Sequence, residues 1–447
     1  MFPFTGRRLD SNCLQLQAEI LEIPEITESS ILINERGIFS KPSQICKKNF
    51  MSAIDSLSLS THPSDWVRIS FENEWANRVS IGLFRAASVL TDPACESHEF
   101  YRRISLVDVL NPAASKAANL ARKILLGTAA AGFAFAALFT SVPGIALRAL
   151  AASLQAVPFS SMNGKAEDKI LPADRKFTLL SWNVCCIGGG YSISDGGVLP
   201  WSFRLDAIID KIIESDADVN CLNEVYDAES AHRICERLKE NGYTRFYFNI
   251  GPRALGVSSG ILVASKYEIE KPEFTPFPKE TLLGRTQFTE KGIFSFDVSS
   301  RSKPFARIVA THLQHSEEPE FPTEAEVAAR RKQMAIVVEK TNAVRDRCIL
   351  VAGDLNLDDK EYESSPWKSQ FVKGADFTEK TWGGDAYCAR LVGKPVSGPL
   401  NLDYAFAVKG TAASIRTTLV RTGYDPETIK KEALSDHEGL LSEAILA

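Results

Sequence analysis

The sequence predicts an α/β (α+β) fold, a four-layer αββα sandwich of two mixed β-sheets, preceded by a helical membrane-associated N-terminal region. Three observations lead there. From about residue 176 to the end, short apolar strands alternate with helical patterns and turn signals. Several of those strands end in oxygen-bearing side chains, at Asn183, at Glu224 and at the Asp354/Asn356 pair. Upstream, residues 124–147 form a run of 24 without a charge, flanked by Lys123 and Arg148.

Taken in order, residues 1–115 mix acids and serines with short apolar runs; 66–71 alternate like a strand and 80–90 suit a helix. Residues 116–159 form a hydrophobic segment. A bilayer span needs roughly 20 apolar residues, so 124–147 is long enough, but Pro143-Gly144 interrupts it. Three readings stay open: a single span, an interfacial hairpin turning at Pro143-Gly144, or a buried helix pair of a soluble domain. Basic residues at its two ends differ too little to fix an orientation or a side of the membrane. Residues 160–175 are polar and read as a linker, and 176–447 as the catalytic domain. Within it, strands are expected at 177–184, 217–222, 244–250, 259–265, 293–298, 306–311, 348–352, 401–407 and 440–444, and helices at 204–215, 228–241 and 323–345. Thr323 and Glu326 form a capping-box pair at the start of the last helix. Strands outnumber helices, which favours two face-to-face sheets with helices outside.

Net charge −5 and a pI of 5.8 supply no basic field, so no specific nucleic-acid partner is expected. Nine cysteines show no framework spacing and no CxxC pair, which argues for thiols rather than disulfides or structural zinc. Adjacent Cys185 and Cys186 cannot both face one core from a regular strand. No apolar stretch follows the first residues as in a secretory signal.

The chemistry gathers in Cys221-Leu222-Asn223-Glu224-Val225-Tyr226-Asp227, where one acid ends an apolar strand. A buried carboxylate is costly unless it is paired or holds a cation. With Asn183, Gly353-Asp354-Leu355-Asn356 and Ser435-Asp436-His437, it describes a metal-assisted hydrolase of phosphate esters.

These stretches resemble, over about residues 175–447, the endonuclease/exonuclease/phosphatase (DNase I-like) superfamily. They run in family order: SWN at 181–183, Glu224, THLQ at 311–314, GDLN at 353–356, LDY at 402–404 and SDH at 435–437. Within it the chain is most similar to neutral sphingomyelinases, through CLNEVYD at 221–227, SSGILVASKYEI at 258–269, KGIF at 291–294, and Arg330 with Gln333. The resemblance implies a Mg²⁺-dependent phosphodiesterase, with Mn²⁺ as an alternative ion and a phospholipid, sphingomyelin, as substrate. It implies His437 as general base, oriented by Asp403. Asp354 would position the attacking water, and His312 would donate to the phosphoryl oxygen. Glu224, Asn183 and Asp436 would serve the metal, and Asn183, Asn356, His312 and Lys291 the phosphate. Each has a plainer reading: Asn183 as a turn cap before the 188–190 glycines, His312 as a turn stabiliser, His437 as surface, and Lys291 as a solvated loop lysine. His315 is expected on the surface. Leu282, Leu283 and Phe288, in the loop before Lys291, are expected to meet lipid. Thr286 stands where the animal enzymes carry an Asp that pairs with the lysine, and Glu290 is the candidate substitute.

Two other functions remain open: a DNase I-like nuclease, and a membrane-tethered binding protein on a dead hydrolase fold. The second should have lost Glu224, Asp354 or His437, and all three are present.

Overall fold

A computed structural model describes residues 74–111, 113–155, 157–187, 198, 201–252, 256–343, 346–374, 380–382, 400–422 and 434–446. The expected strand at 66–71 and the 188–190 glycines lie outside these residues.

Two mixed sheets form the centre. The seven-stranded sheet runs, in spatial order, β1 (Ser160–Asn163), β4 (Arg245–Phe248), β5 (Leu262–Ser265), β3 (Val219–Val225), β2 (Lys176–Cys186), β13 (Gly439–Leu446) and β12 (Ala412–Val420). The six-stranded sheet runs β10 (Phe371–Lys373), β11 (Asp403–Val408), β9 (Cys348–Asp354), β8 (Lys303–His312), β7 (Gly292–Ser300) and β6 (Glu268–Pro276). Each sheet has one parallel pair at its heart, β2 with β3 and β8 with β9; its other pairings are antiparallel. Phe177, Val219, Phe294, Ile308 and Leu350 fill the space between the sheets. Strands buried on both faces read as continuous apolar runs.

The outer layers follow from helical periodicity. In α3 (Trp201–Ser215), Leu205, Ile208, Ile209 and Ile212 are buried; in α4 (Ala228–Glu240), Ala231, Ile234, Cys235 and Leu238 are. These stripes pack with Trp182 and Leu222 on the outer face of the first sheet. Asp227 caps α4 by accepting from the backbone of Glu229 and Ser230. On the second sheet, Met334 and Val337 of α5 (Glu324–Asn342) and Tyr362 of α6 (Asp359–Glu363) cover Val309, Val351 and Phe406. The Thr323/Glu326 capping box is formed. Arg330 reaches from α5 to the Glu361 carboxylate at 2.7–3.1 Å, and Gln333 donates to Thr281 and accepts from the Gln314 backbone. The pair matched by resemblance thus braces the loops beside His312.

Several expectations change. The stretch read as a linker contributes the edge strand β1, paired with β4. The apolar segment does not turn at Pro143-Gly144. Instead α2 (Lys116–Leu154) runs through Pro143, and the chain reverses between it and the preceding helix α1 (Glu74–Leu110). The two helices lie antiparallel, with Ser97 bonded to the Ala130 carbonyl and Ser80 to that of Ala151. Gly144 allows a close approach, since a Cβ there would stand 2.8 Å from Thr91 Cγ2. Among the described residues, only 6% of the most apolar α2 window is buried. Cys185 and Cys186 are both buried, but in different clusters, because Cys185 takes φ 48° at a register break between β2 and β3.

Gly353 has φ 149°, and a Cβ there would lie 1.8 Å from the Thr311 carbonyl oxygen of the neighbouring strand. Gly353→Ala should therefore destabilise the fold by about 3 kcal/mol or more. Chemical denaturation would measure this, and an unchanged midpoint would contradict it.

Candidate active site

The two parallel pairs end at the same pole of the sandwich. Asn183 lies near the end of β2, Glu224 near the end of β3, and His312 and Asp354 are the last residues of β8 and β9. Asp403 begins β11 opposite Asp354, and His437 lies two residues before β13. The fold thus brings residues far apart in sequence together at one pole.

Asp354 is the hub. Its Oδ2 accepts from Asn183 Nδ2 at 3.0 Å, its Oδ1 accepts from the Asn356 backbone at 3.0 Å, and its own N–H donates to Asn223 Oδ1 at 3.0 Å. His312 Nε2 lies 3.4 Å and His437 Nε2 3.8 Å from Asp354 Oδ2. His437 Nδ1 lies 2.8 Å from Asp403 Oδ2. With Asp403 ionised, the imidazole proton belongs on Nδ1 and Nε2 faces the site. Asp403 is held in turn by the Thr381 hydroxyl, which accepts from its backbone N–H. Ser435 donates to the Asn183 carbonyl, and Trp182 Nε1 to the His437 carbonyl, tying the last loop to β2. Nothing in the sequence pattern singled out Asn223, Thr381, Trp182 or Ser435 as supports; Asn223, Trp182 and Ser435 lie within the quoted stretches, and Thr381 lies far from all of them.

Backbone strain gathers here. Glu224 has φ 63° and Asn356 φ 52°, both left-handed. A few kcal/mol of such strain persists only where the surroundings enforce it. Asp354 and Asn356 both reach the site, but through this left-handed turn rather than by strand alternation alone. Glu224 keeps 19% of its side chain open.

The charges explain one another. Removal from water pushes the Glu224 carboxyl up to about 7, with Asp436 adding to the rise. Burial likewise lifts Asp403 to about 6. Burial opposes charge on His437, but Asp403, Asp354 and Asp436 outweigh it and hold the imidazolium well above the ordinary histidine range. Lys291 is not on an exposed loop: it is 3% exposed, and its Nζ lies 2.8 Å from His312 Nε2 and donates to the Leu313 carbonyl at 2.6 Å. Burial draws its ammonium down to about 8. It also pushes His312 well below the usual range, with Lys291 adding to the fall. A lysine donating to Nε2 leaves the His312 proton on Nδ1, which has no partner among the described residues.

Ligand atoms of Glu224, His312 and Asp354 lie within 4.8 Å of one another, as do those of Asp354, Asp403 and His437. Asp436 belongs to neither group, although its charge acts on Glu224. The excess of carboxylates over cations, and the hard oxygen donors, fit a metal ion.

Two neighbours, Leu282 and His315, differ from expectation. Leu282 is 7% exposed and packs with Phe277 and Ile293 in the core, so it does not meet lipid; Phe288 is 63% exposed. His315 is half-buried, with its Nδ1 2.7 Å from the Thr286 hydroxyl. Thr286 therefore engages His315, while Lys291 engages His312 and Leu313.

A two-sheet sandwich with carboxylates and histidines at one pole defines a DNase I-like hydrolase. Residues 180–437 match the Endonuclease/Exonuclease/phosphatase family, and the chain belongs to it. Sphingomyelinase C of Listeria ivanovii is 24% identical over 229 residues, covering 47% of this chain and 67% of that protein. The CCR4-Not complex 3'-5'-exoribonuclease subunit Ccr4 of Aspergillus fumigatus is 31% identical over 86 residues, which covers 18% of this chain and only 12% of that protein. The crystal structure of SmcL shares the fold, with a TM-score of 0.50 and 22% identity, over 60% of this chain and 99% of that one. Members of the family are metal-dependent phosphodiesterases and nucleases, so this chain is a hydrolase by family.

Asn223 links the sheets beneath the site, donating to Thr311 O at 3.3 Å and accepting from Asp354 N. Asn223→Ala orphans both groups and should cost about 1–3 kcal/mol. Equilibrium unfolding that shows no loss would remove the amide from this role.

Proposed function

We propose that the protein is a Mg²⁺-dependent phosphodiesterase that cleaves sphingomyelin to ceramide and phosphocholine. The observation that carries the hydrolytic reading is the convergence, at one pole, of the His437–Asp403 pair with the Glu224/His312/Asp354 group. The lipid reading is supported by the likeness to a sphingomyelinase over 67% of that protein and by the exposed apolar face of α2. The 124–147 stretch attaches the enzyme to the membrane that holds its substrate. A second reading, a nuclease, draws on the 86-residue likeness to Ccr4; the acidic chain and the shortness of that match weigh against it.

Glu224, with Asn183 and Asp436, would hold the ion. When bound, it supplies positive charge that offsets the buried carboxylates and polarises the phosphoryl oxygen. In its neutral form His437 takes the proton of the attacking water at Nε2 while Asp403 fixes Nδ1. Asp354, held by Asn183 and the Asn356 N–H, fixes the water's direction. Asn356 and Asn183 bind phosphoryl oxygens. Lys291 and His312 place a positive charge and a neutral imidazole where negative charge develops.

Four outcomes test this. Glu224→Gln should cost at least ~10²-fold in activity and abolish Mg²⁺ binding in calorimetry with folding intact. His437→Ala should lower kcat by about 10²–10⁴-fold. Asp403 stabilises the imidazolium, so Asp403→Asn lowers the His437 pKa. The acidic limb of the pH–rate profile should move to lower pH while the maximal rate falls, and a limb that stays put would count against the pair. Purified protein with Mg²⁺ should release phosphocholine from sphingomyelin dispersed in detergent, and should leave RNA and DNA intact. Nucleic-acid cleavage without phosphocholine release would establish the second reading instead.

A further inference from the structure

The hairpin of α1 and α2 has two unlike sides. On α2, Phe135, Leu138, Phe139 and Val142 are 65–73% exposed, within a stretch of 24 uncharged residues. An interface for another protein carries a polar rim around its apolar centre; this face has no charge along 24 residues, which suits hydrocarbon better. Exposed Lys116 and Arg122 stand at its start and complement anionic headgroups.

The other side forbids a crossing. Contacts from Ser97 with Ala130 to Ser80 with Ala151 lay α1 along α2. Level with the apolar stretch, α1 carries Asp92, Glu96, Glu99 and Arg103. Charged residues at bilayer depth are costly. Beyond α1 lies the catalytic body: Arg85 pairs with Glu229 of α4 at 3.0 Å, and the Arg103 guanidinium stands 5.5 Å from the ring centroid of Phe203 in α3. Those contacts are 18 residues apart, about 27 Å of helix at about 1.5 Å per residue. A hydrocarbon core is only about 30 Å thick. A hairpin crossing it would drag α4, with its exposed Arg233 and Arg237 ion pairs, to the same depth.

We propose that the hairpin lies in the plane of the membrane interface, with the apolar face of α2 in the lipid and α1 and the catalytic body on one side. This deepens the membrane reading above and rests on it. The Arg85–Glu229 contact lies five residues from Glu224, so the surface that meets lipid is mounted close to the strand end that carries the site.

Topology labelling of the full-length protein in sealed phosphatidylcholine vesicles containing phosphatidylserine tests this. Ala113→Cys marks the exposed turn between the helices. A membrane-impermeant maleimide should label the peptide that holds position 113 from the side that carries the catalytic body, without detergent. If α2 crosses alone, or the hairpin crosses as a pair, position 113 lies on the far side and is labelled only after detergent; either result overturns the proposal. In Leu138→Trp, the fluorescence added over the parent protein should be quenched more by lipids brominated near the headgroup than near the chain end. The reverse order overturns it, as does a protein that ignores vesicles and pairs through α2 as a soluble dimer. Phosphocholine release from detergent-dispersed sphingomyelin by the same sample does not depend on topology. It therefore tells failure of this proposal apart from failure of the substrate reading.

Discussion

The site depends on one carboxylate. Asp354 ends the middle strand of one sheet and is gripped from the other, by Asn183 on its oxygen and by Asn223 on its backbone. A bond between two sheets is only as well placed as the packing between them. The aromatic and aliphatic layer from Phe177 to Leu350 thus sets the position of the chemistry as well as the stability. The left-handed turns at Glu224 and Asn356 follow from the same demand. Each strand must stop abruptly and aim a polar group across the gap, and regular strand geometry does not allow that.

A second constraint is charge. Glu224, Asp354, Asp403 and Asp436 act on one another across a small volume that also holds, among the described residues, the cations Lys291 and His437. Such a cluster is stable in the folded state when protons or a metal ion reduce its repulsion. The rise of Glu224 to about 7 comes first from its burial, and that repulsion adds to it. Lys291, buried and shared between His312 and a carbonyl, is part of the balance rather than a surface lure for phosphate. Thr286 makes a neutral hydrogen bond to His315, while the adjacent Arg285 pairs with Glu317 at 2.6 Å, so the loop is held by both kinds of contact.

What the sequence discloses depends on burial. All nine strands expected between residues 176 and 447 exist, because central strands covered on both faces are apolar throughout. The four strands it missed, β1, β12, β10 and β6, are the four sheet edges. Edges are short, polar or broken; β6 carries Pro272 at a register shift next to Lys271 at φ 50°. The site residues were legible because a lone acid or amide at the end of an apolar strand needs a reason. Their supports were not. Asn223 looks like any polar residue on a strand until the opposite sheet is in place, and Thr381 touches Asp403 only through folding. Leu282 misled for the converse reason, since an apolar pair in a loop shows no sign of which way it faces.

Asn77 of α1 donates to the Ser161 carbonyl at 2.8 Å and accepts from the Ser161 N–H at 3.3 Å. One amide thus satisfies both backbone groups of a residue in the outermost strand, as a further strand would. Open sheet edges recruit other chains. The hairpin therefore acts as a stopper on the first sheet, and a chain cut between helix and strand would present β1 as a template for intermolecular pairing. Aggregation of such a fragment would reflect an uncovered ladder, with the catalytic core itself still folded.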